Sequence, residues 1–115
     1  MPEHYPDHLS PADYREHARA RAARSPSGIG AAVEQVDDDR DGVPGRVWVC
    51  LVTDGSEFHY LDVTVPDLPD FEGVSTTAVE DAVERAAASL PGPNRLAALL
   101  AGGLLELERD DLRGG

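Results

Sequence analysis

The sequence predicts an α+β domain: a three-stranded antiparallel sheet with an N-terminal helix and packed C-terminal helices. Three observations carry this expectation. "RVWVCLV", residues 46–52, is a β-branched and almost uninterrupted apolar run. "EFHYLDVTV", residues 57–65, returns after Asp54-Gly55, a dipeptide that favours hairpin turns. Further on, Val79, Ala82, Val83, Ala86, Ala87 and Leu90 recur at helical spacing. The element order reads α-β-β-β-α-α, with residues left for a final edge strand.

A chain of 115 residues suggests one domain. Residues 1–9 read as a flexible tail and 10–115 as that domain. "LSPADY" then starts a helix. Ser10 serves as N-cap, Pro11 suits the first turn, and Asp13 faces the positive end of the dipole. Leu9 and Tyr14 have the spacing of a hydrophobic staple. The helix should run to about Arg24. Its apolar stripe is thin, namely Tyr14, Ala18 and Ala22, and four arginines make the remainder polar. Such a helix packs lightly or waits for a partner, so Arg15 and Arg19 are candidate partner contacts.

Residues 29–37, "IGAAVEQVD", are a weaker strand candidate, because alanine has little preference for sheets. Pro66 ends the return strand, since it has no N–H for a central ladder. Thr77 and Glu80 have the spacing of a capping box. Asp81 and Arg85 form an i,i+4 pair. "PGP" at 91–93 stops that helix. Asn94 caps a short one, "RLAALLA", which ends at Gly102-Gly103. In "LLELER", Leu105 and Leu107 alternate as in an edge strand.

Net charge is −12. Residues 1–27 balance four arginines against four acids, so the whole excess lies in residues 28–115. That field repels nucleic acid and attracts basic partners. All ten basic residues are arginine, which removes Schiff-base and P-loop lysine chemistry. Cys50 is alone, so no intramolecular disulfide forms. No apolar run is long enough to span a membrane, and "MPEHYPDHLS" lacks the basic and apolar parts of a signal peptide. The expectation is a cytoplasmic protein without a cofactor.

Four constellations could carry chemistry. A two-residue turn at Asp54-Gly55 would set Cys50 opposite His59, an arrangement able to generate a thiolate. A buried thiol beside a half-exposed histidine is the plainer account, and the chain is read as non-enzymatic. Asp37, Asp39, Asp41 and Gly42 match the opening of an EF-hand loop. Pro44 interrupts that loop and Trp48 stands where its glutamate belongs, which favours a solvated acidic turn. His4, His8 and His17 suit an exposed tail better than a metal site. The final Leu112-Arg113-Gly114-Gly115 is similar to the terminus of ubiquitin, which leaves a ubiquitin-like modifier as an alternative. A structural accessory role is another.

From Arg46 to Leu90 the chain resembles HicB-type antitoxins. The shared features are the hairpin from Trp48 to Val65, the motif Pro66-Asp67-Leu68-Pro69, and a helix carrying Glu80, Asp81, Ala82, Glu84 and Ala86. Asp70 stands where that family usually has glycine. The resemblance implies a partial RNase H-like fold that acts by binding, covers a small basic ribonuclease toxin and forms a homodimer. It makes Pro66, Asp67, Leu68, Pro69, Glu80 and Glu84 candidate partner-binding residues. An antitoxin- or immunity-like neutraliser of a basic protein is therefore the leading expectation.

Overall fold

The computed structural model describes residues 10–37, 46–65, 74–91 and 93–112. The expected tail 1–9 lies outside them. Helix α1 spans Pro11–Arg24, and strands β1, β2 and β3 span Gly30–Asp37, Val47–Thr53 and Phe58–Thr64. Helix α2 spans Thr76–Ala88, α3 Arg95–Leu100 and strand β4 Leu104–Glu106, before a closing 3-10 turn at Arg109–Leu112. The described strands form one sheet in the order β1-β2-β3-β4. β1, β2 and β3 pair antiparallel, whereas β4 lies parallel to β3. The sheet is thus mixed and has a fourth strand. A parallel neighbour needs a long crossover, and α2 and α3 supply it.

The alternation along the strands divides the core between two faces. Ala31, Val33, Trp48, Cys50, Val52, Leu61 and Val63 pack with Val79, Ala82, Val83 and Ala87 of α2 and with Leu96 and Leu99 of α3. Ala32 and Leu51 face the other way and pack with Tyr14 and Ala18 of α1. The thin stripe expected on α1 is therefore its buried face, and it suffices because the helix sits close. A Cβ on Gly30 would overlap the Ala18 carbonyl oxygen and the Ala22 nitrogen. Glycine at this position sets the distance between α1 and β1. Ser10 and Asp13 form a complete capping box at the start of α1.

Three local expectations are corrected. The β2–β3 connection has four residues, Asp54–Glu57, because Thr53 pairs with Phe58. The Asp54 carboxylate accepts the Ser56 and Glu57 N–H groups at 2.9 and 3.0 Å, and Gly55 takes the positive φ of 100°. The longer turn shifts the register by two residues, so Cys50 faces Leu61 and His59 faces Val52. The N-cap of α2 is Ser75, whose hydroxyl accepts the Ala78 N–H at 3.0 Å, in place of Thr77. Glu80 is thereby released from capping and turns inward. Finally, Asp81 bonds to Arg21, while Arg85 donates to the Asp111 carbonyl. Their expected i,i+4 pairing gives way to two long-range ties.

The residue 29–37 strand is present as β1, and Asn94 caps α3 as expected, its side chain accepting the Ala97 N–H at 3.2 Å. Beyond β4, the Leu107 N–H donates to the Thr64 carbonyl at 2.8 Å and its side chain is buried. Replacing Gly30 with alanine forces α1 off the sheet. Urea unfolding should show a loss of about 1–3 kcal/mol. An unchanged midpoint would mean that α1 does not pack at this distance.

Candidate functional site

Two regions of the described structure concentrate polar side chains. One is a junction at the outer edge of β1. β1 has a single sheet neighbour, so alternate N–H groups point away from β2. Two of them are taken by carboxylates of α2. Ala31 N–H donates to Glu84 Oε2 at 3.1 Å, and Val33 N–H donates to Glu80 Oε2 at 2.8 Å. The four-residue spacing of Glu80 and Glu84 puts both on one face of α2, and the two-residue spacing of Ala31 and Val33 matches it along the strand.

Arg21 of α1 closes the junction from the other side of the sheet. Its Nε and NH2 donate to the two Glu84 oxygens at 2.6 and 3.1 Å, in a fork-to-fork pair. It also reaches Asp81, and its NH1 lies 3.7 Å from Glu80. The side chains of Arg21, Glu80 and Glu84 are only 15, 6 and 13% exposed. Glu84's hydrogen bond is the largest influence raising the Arg21 pKa, against the desolvation that burial imposes. His17 adds a contact of 3.3 Å from Nε2 to Glu80 Oε1.

Of the expected partner-binding residues, the structure places Glu80 and Glu84 in this internal junction. Both are spent inside the domain on backbone amides and on Arg21. Arg15 and Arg19 do lie on the exposed face of α1. Arg19 is 3.5 Å from Glu16, and its guanidinium sits 5.2 Å from the centre of the Phe58 ring. Pro66, Asp67, Leu68 and Pro69 lie outside the described residues, as do Asp39, Asp41, Gly42, His4, His8, Gly114 and Gly115.

Cys50 is fully buried, and burial is the main cause that pushes its thiol pKa far up, with Glu80 and Asp62 adding to it. His59 is exposed, faces Val52 rather than Cys50, and its Nε2 lies 3.2 Å from Glu57 Oε1. The two therefore do not form a nucleophile and base. No cluster of His, Cys, Asp and Glu suited to a metal ion occurs among the described residues.

The second region is a groove of about 570 Å³ beside the β2–β3 turn. Asp54, Glu57 and His59 form one wall, and Leu96, Ala97 and Leu100 of α3 form the other. Asp54 and Glu57 are hydrophilic turn residues in the sequence. Only folding brings α3, some forty positions later, up against them. The backbone N–H groups of Glu57 and Ser56 hold the Asp54 carboxyl below the usual aspartate range. No family model, curated protein or solved structure matches the chain.

Three measurements test this account. Arg21→Ala strands two buried carboxylates and should cost about 3 kcal/mol in urea unfolding. Arg21→Lys restores charge without the fork and should recover only part of that loss. Equal stability of all three proteins would remove the junction's structural role. Native Cys50 should resist thiol reagents at neutral pH and react on unfolding; rapid labelling of the folded chain would contradict its burial. By NMR titration, Asp54 should ionise at a lower pH than an ordinary aspartate. The contribution of its turn to stability is then present above the ordinary aspartate pKa, and it is lost as the pH falls through the depressed one.

Proposed function

We propose that the protein is a small non-enzymatic binding domain of the cytoplasm that neutralises a basic protein partner, as an antitoxin or immunity protein does. One observation carries this: where the exposed charge lies. Asp54 and Glu57 are exposed at the β2–β3 turn, and Glu106, Glu108, Asp110 and Asp111 are exposed along the C-terminal segment. Three exposed arginines, Arg15, Arg19 and Arg24, lie on α1. Arg21 offsets only part of the charge of Glu80, Asp81 and Glu84, and these exposed acids add to the field. Such a surface speeds the encounter with a basic protein and selects against acidic ones.

Two further points support binding over catalysis. Cys50 and His59 stand apart in the sheet. The resemblance of residues 46–90 to HicB-type antitoxins implies the same class of activity. α1 offers a second surface for a ternary contact or for a second copy. No helix among the described residues is long and apolar enough to cross a membrane.

Capture on the tagged full chain from its native cells should recover a basic protein that high salt releases. The variant Glu106→Gln, Glu108→Gln, Asp110→Asn, Asp111→Asn should recover clearly less. Recovery of no basic partner by the unmodified chain ends this proposal.

A further inference from the structure

The groove between the β2–β3 turn and α3 has two unlike walls. Asp54 and Glu57 contribute carboxylates, whereas Leu96, Ala97 and Leu100 contribute carbon surface. A second hollow of about 330 Å³ extends it and shares Asp54, Pro93, Asn94 and Leu96 with it. The larger space lies within the range of about 300–1,000 Å³ in which pockets hold compact ligands. It is large enough for a few side chains.

Asp54 and Glu57 carry the formal charge of this place, and His59, which also lines it, has its Nε2 3.2 Å from Glu57 Oε1. Arg95 borders the second hollow, but its guanidinium is turned into the fold. It donates to the Leu90 carbonyl at 3.1 Å and to the Ser27 carbonyl at 3.3 Å. Asp54 is held rigidly by two backbone N–H groups, so one carboxylate is pre-positioned. Ser56 and Glu57 follow it on the same turn, and Glu57 stands at the rim with most of its side chain in water. A cation arriving here meets the Asp54 carboxylate and a Glu57 carboxylate that His59 also contacts, and it displaces no internal arginine.

We propose that this groove is the docking site for a basic amphipathic segment of a protein partner. A lysine or arginine of that segment lies between Asp54 and Glu57, and a leucine-sized side chain rests on Leu96 and Leu100. Charge complementarity selects this occupant: the chain carries −12 overall, and the groove wall carries its own carboxylates. The apolar wall adds what charge alone does not, a demand for a hydrophobic residue next to the cation. The proposal rests on the protein-binding function above and names where that binding occurs.

The probe is a synthetic helical peptide with arginine on one face and leucine on the other, titrated into the full chain by NMR. Its control has the same arginines, with serine for leucine. The arginine–leucine peptide should shift the signals of Gly55, His59, Ala97 and Leu100 first. The double variant Asp54→Asn, Glu57→Gln should bind it about tenfold more weakly. Asparagine at 54 still accepts the two N–H groups, so the turn is kept, and matching urea midpoints verify this.

Equal binding of the serine control would overturn the proposal, because the apolar wall would then be idle. Shifts confined to residues 106–111 and unaffected by the double variant would also overturn it, while leaving the acidic-surface function standing. Absence of binding by either peptide overturns the groove as well. The capture experiment then decides the broader function separately.

Discussion

Everything at the β1 edge depends on Arg21. The N–H groups of Ala31 and Val33 point away from the sheet and need acceptors. Glu84 and Glu80 supply them, but two carboxylates brought together out of water repel each other and lose hydration. One guanidinium, bonded to Glu84 and Asp81 and close to Glu80, makes the arrangement tolerable. The same contact joins α1, on one face of the sheet, to α2 on the other. It also blocks the half of the edge where another chain would otherwise pair. Glycine at position 30 is the steric counterpart, since it lets α1 come close enough for Arg21 to reach.

This division of labour bears on function. A net charge of −12 describes the chain but does not say which acids face outward. Glu80 and Glu84 serve the fold. Asp54 and Glu57, on a turn, face water and flank apolar carbon from α3. On the function proposed above, it is these two acids beside the apolar groove that a basic partner meets. Cys50, in the central strand β2 and buried in the core with valines and leucines, contributes packing.

Much of the fold was legible in the sequence. The periods of the apolar residues in β2, β3 and α2 depend on neighbours close in the chain, as do the caps at Ser10 and Asn94. The misjudged features have one physical cause each. Asp54 accepts two backbone N–H groups at once, which lengthens the turn beyond what its Asp-Gly pair signals. Ser75 outcompetes Thr77 as cap, because the first helical residue is Thr76. Glu80 looked like a capping partner only because its better partner, β1, is 47 positions away. Of the candidate site, the carboxylates at 54 and 57 were visible as turn residues, but their apolar counterpart was not.

By itself the sequence determined the class of the domain, the identity of its helices and central strands, the sign of its charge and the isolation of its cysteine. These follow from composition and from interactions within a few residues. The tertiary structure alone decided which acids are internal, that β4 joins the sheet parallel to β3, that Cys50 and His59 do not meet, and that α3 completes a groove with the β2–β3 turn. Those outcomes depend on contacts between residues far apart in the chain. Local preferences do not encode them, because the energy of a buried carboxylate or a filled groove depends on what the rest of the fold brings to it.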